Sequence, residues 1–184
     1  MSLKDYTQDL HTEAEKTWMA KELMSGKIDP ALYFKYLTNV YYIHRAIERH
    51  CEDLGLLDGI ESISNSSRIF DDLTELIMEY KFEYGKLLPS TTDYVAYIGT
   101  LDNQVLAHLY VRHFGDMFGG SMIQKKVPGK GTMYDFKAKK TLINKTRKKL
   151  SDDLGDEARV AFQKAIDLMK DLENDYLRTT GTTL

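Results

Sequence analysis

Two clusters in this sequence carry side chains able to do chemistry. The first lies in "LKDYTQDLHTEAEKTW", where His11 and Glu15 stand at positions i and i+4. On a helix that spacing lets the carboxylate reach a ring nitrogen. A carboxylate so placed orients an imidazole and raises its basicity, which suits a metal ligand. Lys4, His11, Glu15 and Trp18 fall within about 60° of one another on such a helix, beside an apolar stripe of Leu3, Tyr6, Leu10 and Ala14. The same spacing also describes a boundary histidine with an ordinary surface glutamate, and it leaves both readings open.

The second cluster is "YVRHFGDMFGG", Tyr110–Gly120, which puts Gly115, Gly119 and Gly120 around Asp116 in a run with helical spacing. Each interior glycine costs a helix about 1 kcal/mol relative to alanine. Gly115 and Gly119 form a Gly-x-x-x-Gly face, a common device for close helix packing, although Arg112 and Asp116 beside it argue against a membrane dimer. Missing side chains would equally let a flat ligand lie against backbone, with a kink permitted and Asp116 holding water over it. A third feature, the basic run Lys137–Lys149, reads as a solvated face or as a partner for ligand carboxylates or an acidic protein.

Helices must position these groups. Apolar residues recur at helical spacing almost throughout, and no alternating strand pattern occurs. A first helix is expected from Leu3 to about Met24, ended by Gly26. Asp29-Pro30 opens a second, reaching about Leu54 through Leu32, Leu37, Val40, Tyr41, His44, Ile47 and Cys51. A third runs from Phe70 to Tyr84, stopped by Gly85 and Pro89, and a short fourth is capped by Ser90 or Thr91. The glycine helix spans Leu101 to about Lys126, the basic helix follows, and an amphipathic helix closes the chain from about Glu157 to Leu177. "DGIESISNSSR" reads as a loop with room for a short turn of helix, and "VPGKGTMYDF" reads as a loop. The expectation is an all-α, single-domain, multihelical bundle over residues 1–184, with 178–184 a frayed tail.

Composition narrows the function classes. A net charge of −3 over 184 residues gives no sign of a nucleic-acid protein. The single Cys51 excludes an internal disulfide and suits a reducing compartment. No apolar run approaches the roughly 20 residues that span a bilayer, and "MSLKDYTQDL" lacks the apolar core of a signal peptide. No glutamate has a histidine three residues later, which disfavours a di-iron carboxylate bundle. No flavin or nicotinamide motif is visible. A soluble, cytoplasmic monomer without a nucleic-acid or membrane partner is expected.

Together these pieces resemble the heme oxygenase family over nearly the whole chain. "LHTEAE" (Leu10–Glu15) looks like the family's proximal helix, whose histidine ligates heme iron. "HLYVRHFGDMFGG" (His108–Gly120) looks like its distal helix, which lies over the opposite heme face. "YYIHRAIE", Lys140 and "AFQKAIDLMKDL" also have family-like spacing. The resemblance implies that His11 is the metal ligand, that Glu15 accepts its other N–H, and that Lys4 pairs with a heme propionate. Asp116 would organise distal water, with Arg112 near that network. Gly115, Gly119 and Gly120 would bring backbone against the porphyrin. Tyr110 matches a propionate-side tyrosine, although an ideal helix points it away from the glycine face. Lys140 or Arg147 would replace a propionate arginine that falls nearest Asn144.

Other departures are Phe118 and Ser121 in the glycine motif, His44 in place of a pocket tyrosine, and a short Ser121–Phe136 segment. They bear on meso-carbon selectivity and on heme orientation. The implied activity uses heme b as both substrate and cofactor, with O₂ and electrons cleaving one meso carbon, expected to be alpha, to biliverdin, CO and Fe²⁺. Electrons would come from a separate ferredoxin or reductase, with the basic helix as docking face, and a bilin-using reductase would act downstream. The rival readings are a heme-binding or heme-delivery protein that does not degrade its ligand, and a cofactor-free hydrolase of similar fold. The hydrolase needs a nucleophilic cysteine, and Cys51 in "ERHCEDL" has no visible base pattern.

Overall fold

A computed structural model describes residues 2–181. Eight α-helices follow one another: α1 (Leu3–Lys16), α2 (Trp18–Ser25), α3 (Pro30–Asp53), α4 (Ser66–Tyr80), α5 (Pro89–Ile98), α6 (Val105–Ile123), α7 (Lys139–Arg147) and α8 (Gly155–Thr180). Short 3-10 turns lie at Glu61–Ile63, Thr132–Tyr134 and Asp152–Leu154. The described residues contain no strand, and none of their helices is long and apolar enough to cross a membrane.

The helix ends differ from the expected ones for local reasons. The first helix breaks at Thr17, whose ψ of 150° leaves the helical region while its hydroxyl caps Ala20 N. A threonine hydroxyl offers backbone donors an alternative to the helix ladder. Trp18 therefore opens a separate helix, and its ring packs on Tyr176 of α8 with centroids 5.3 Å apart. Asp29 caps α3 through Ala31 N and Leu32 N with Pro30 in the first turn, as the residue types suggest. Helix α4 starts at Ser66 because Glu48, far back in α3, accepts from Ser66 N at 3.1 Å. It ends at Tyr80, before Gly85, with Lys81 at φ 59°. Neither Ser90 nor Thr91 caps α5; Pro89 occupies its first turn, and the Thr91 hydroxyl donates to Asn39 Oδ1 at 2.7 Å. Residues 178–180 continue α8 as helix, and the rest of the expected tail, 182–184, lies outside the described residues.

The core lies where α3 meets α4, α5 and α6, and where α1, α2, α5 and α6 settle on α8. Tyr33, Leu37, Ile43, Ile47, Leu73, Tyr94 and Met117 are fully buried there. Helices α1 and α6 both lie along α8 and make little direct contact with each other. Polar clasps fix α1 in place. Arg159 grips both oxygens of Asp9 at 2.7 Å, and the Tyr6 hydroxyl donates to Asp156 at 2.8 Å. Tyr6 is therefore at the exposed boundary rather than in the expected core stripe. Its ring lies so close to α8 that a Cβ at Gly155 would come within 2.9 Å of it.

Candidate functional site

On α1, His11 is half exposed and its Nδ1 stands 3.6 Å from Glu15 Oε1. That separation is longer than a hydrogen bond, so the pair is a loose contact in the expected direction. The imidazole rests edge-on against Phe162 of α8, with centroids 5.8 Å apart. Lys4 is exposed on the same helix.

On α6, Gly115 is exposed, and a Cβ built there meets nothing within 4 Å. At Gly119 a Cβ would touch only Ile123 Cδ1, at 3.8 Å. Phe118 and Met122 flank this strip and are 53% and 58% exposed. Among the described residues no helix covers the Gly115/Gly119 face, so close helix packing does not explain the two glycines. Exposed apolar side chains gathered on a rigid strip mark a surface that a ligand or partner covers. Gly120 was expected on the same strip but turns the other way. A Cβ there would sit 2.7 Å from Tyr134 Cδ1, so this glycine admits the 3-10 turn Thr132–Tyr134 against α6.

Asp116 sits at the edge of the strip, 8% exposed. Its Oδ2 accepts from Asn65 Nδ2 at 3.0 Å and lies 2.8 Å from His44 Nε2. A second carboxylate lies behind it. Glu48 Oε1 is 2.8 Å from His113 Nε2 and accepts from Asn65 N at 2.6 Å. The His44 and His113 rings touch, with centroids 4.7 Å apart. Burial alone would raise the Asp116 carboxyl, but His44, Arg112 and His113 hold it below the usual range. Burial likewise opposes charge on Glu48, yet the His113 hydrogen bond, both imidazoles and Ser66 bring it down to about 2. Burial pushes the His113 imidazole below its ordinary value.

Among the described residues, Arg112 Nε, Arg68 Nη2 and His113 Nδ1 are buried near Asp116 without a protein partner, and the hydroxyls of Tyr33 and Tyr134 lie beside them. An unmet buried donor or acceptor costs roughly 1–3 kcal/mol, so such a gathering marks a place where water or ligand completes the bonding. Asp116 and Arg112, one turn apart on α6, thus belong to one buried polar cluster beside the bare strip. Tyr110 is half-buried and edge-on to Phe114 at 5.1 Å, away from the strip as helix geometry requires. The Arg147 charge bears on its hydroxyl, which places α7 beside it. Lys140 and Arg147 are both exposed. Sequence spacing had not indicated Asn65, Glu48 or His113. Glu48 carried a weak signal, falling one turn after His44 on the buried face of α3. Asn65, in a loop, carried none.

The heme oxygenase family model matches residues 1–171. Heme oxygenase 1 of Nostoc sp. is 26% identical over 207 residues, covering 97% of this chain and 87% of its own length. Heme oxygenase of Guillardia theta is 28% identical over 213 residues, with coverages of 97% and 87%. The crystal structure of heme oxygenase-1 from the cyanobacterium Synechocystis sp., in complex with heme, superposes with a TM-score of 0.83 at 21% identity, over 97% of this chain and 94% of that one. At that identity the superposition speaks for the fold. The match runs unbroken through the imidazole helix, the glycine helix and most of α8, and the chain belongs to the heme oxygenase family.

Proposed function

We propose that this protein cleaves heme at one meso carbon, the alpha position, to biliverdin, CO and Fe²⁺, using O₂ and an external electron donor. The observation that carries this reading is the uncovered Gly115/Gly119 strip with buried Asp116 at its edge, on a helix that shares the α8 bed with His11. The residues present suit heme. A flat, apolar ring matches an apolar strip with no side chain at its centre, and the half-exposed His11 imidazole offers a nitrogen lone pair.

When bound, heme supplies the iron that reduces O₂ and the ring carbon that is oxidised. His11 would hold the metal through its imidazole, with Glu15 orienting the ring from Nδ1. Gly115 and Gly119 let the macrocycle approach backbone, and Phe118 and Met122 cover its edges and exclude water. Asp116 would hold water at the strip and pass it a proton, while the unpartnered Arg112 Nε would donate to the same water. Lys4, Tyr110, Lys140 and Arg147 are the candidates for steadying the propionates, with Tyr110 and Arg147 acting together. Gly120 supports the site indirectly through Tyr134. Residues 1–184 work as one domain, a cytoplasmic monomer in this reading, and the basic helix α7 receives an acidic reductant such as ferredoxin.

The test is optical. Stoichiometric hemin should acquire a protein-bound Soret band, and ascorbate should then convert it to a biliverdin spectrum. An unaltered hemin spectrum removes the whole reading. A stable Soret band under ascorbate would favour the heme-delivery alternative, which gives Asp116 no task.

A further inference from the structure

We propose that His44 is a positioning residue that stores the proton Asp116 delivers, so that the two side chains act as one proton-holding pair. This rests on the heme-cleaving reading for its purpose, but the pair itself follows from hydrogen-bond accounting. His44 Nδ1 lies 3.0 Å from the Val40 carbonyl, which can only accept, so Nδ1 carries a hydrogen. His44 Nε2 lies 2.8 Å from Asp116 Oδ2, an oxygen already accepting from Asn65. A neutral imidazole has a single N–H. Both nitrogens here face oxygen, so the pair holds one proton more than a neutral imidazole and a carboxylate together.

The surroundings decide which member carries it. From α6, Arg112 and His113 face the pair; from α3, Glu48, Tyr33 and Tyr36; from α4, Arg68; from the 3-10 turn, Tyr134. Asp116 Oδ2 already accepts the Asn65 amide N–H, as a carboxylate oxygen does, and Arg112 favours its charge, which leaves the extra proton on His44 Nε2. His113 does not share that burden: its Nε2–H is met by Glu48, and Nδ1, where a second proton would sit, faces no acceptor. His44 is fully enclosed, whereas Asp116 reaches the edge of the strip. The transfer is therefore directional. The Nε2–H bond breaks as an O–H bond forms on Asp116 Oδ2, and the neutral acid then gives that same proton to water at the strip and returns to the carboxylate. His44 is left as the Nδ1–H tautomer, still bonded to Val40, so no ring rotation is needed before a proton returns to Nε2 through Asp116. A tyrosine at this position would have one hydroxyl proton, held far more tightly.

Long-range ¹H–¹⁵N NMR of the ligand-free protein, labelled in histidine, decides the first half. At pH 7 both His44 ring nitrogens should fall in the protonated range, and His113 should show a single protonated nitrogen. An unprotonated His44 nitrogen overturns the proposal, whatever hemin does. The second half uses the hemin-loaded protein. His44→Gln keeps a donor to Asp116 but has no proton to give. It should bind hemin as wild type does by titration of the Soret band. Its biliverdin formation should be roughly tenfold slower or worse, and its rate should lose the decline that wild type shows as pH rises. A wild-type rate and pH profile in His44→Gln would reject the storage role while leaving heme cleavage standing.

Discussion

A buried carboxylate keeps its charge only when donors surround it, and this protein buries two side by side. Glu48 remains ionised to about 2 in the fold against 4.5 for a free glutamate. Its stabilisation is therefore complete above about 4.5 and is lost as pH falls from there toward about 2. His108 and His113 are pushed below 6.5 by burial, so the unfolded chain takes up their protons first, and stability also declines as pH drops below 6.5. Melting of the ligand-free protein should fall in two stages on acidification, and Glu48→Gln should lower Tm at pH 7 while shrinking the stage below 4.5, the remainder belonging to carboxylates such as Asp116. On α1, Glu15 Oε1 stands 3.6 Å from His11 Nδ1, and in the proposed reading it orients the imidazole. Glu15→Ala should weaken hemin affinity by roughly 10–100-fold, measured by Soret titration, with far-UV circular dichroism unchanged. The residue types at His11, Glu15 and Asp116 announced themselves in the sequence. Asn65 did not, because a loop asparagine gains its meaning only from the Asp116 and Arg68 side chains it bridges.

Helix α6 separates two uses of glycine that look identical in sequence. At Gly115 a Cβ enters open space, so Gly115→Ala should stabilise the ligand-free protein by about 1 kcal/mol through helix propensity. The same methyl would stand on the strip, and hemin should bind more weakly. A higher Tm with lower hemin affinity is the expected signature, and unchanged affinity would remove the strip from the site. At Gly120 the Cβ meets the Tyr134 ring at 2.7 Å, so Gly120→Ala should destabilise by roughly 1–3 kcal/mol through overpacking. Helix existence was legible throughout, because apolar spacing repeats over many residues. Helix ends were not. The break at Thr17 depends on a hydroxyl choosing a backbone donor, and the start of α4 depends on Glu48 arriving from α3.

Across the whole molecule, α8 is the common bed. It carries α1 through the Asp9–Arg159 and Tyr6–Asp156 clasps, and it carries α6 through His108, whose Nε2 meets Glu157 at 2.8 Å. The imidazole and the bare strip are thereby held by one rigid element, though far apart in sequence. Helix α7 presents Lys145, Arg147 and Lys148 outward. Reversing Lys145 and Lys148 to Glu, with Arg147 left in place for the propionates, should slow reduction by an acidic ferredoxin at low salt and leave reduction by dithionite unchanged. The difference should shrink as salt approaches 1 M, where the screening length falls to about 3 Å. Equal ferredoxin rates at low salt would assign docking to another face.

What the sequence determined by itself was local and repetitive. Spacing every three or four residues made helices unavoidable, and the His11 and Gly-Asp motifs carried the family. The tertiary structure alone decided which groups became neighbours. Spacing places His11 near Glu15, but only the packing of α3 and α4 against α6 delivers His44, Glu48 and Asn65 to Asp116 and His113. Long-range contacts depend on how helices cross, and a periodic pattern encodes which face is apolar without saying what will be laid against it.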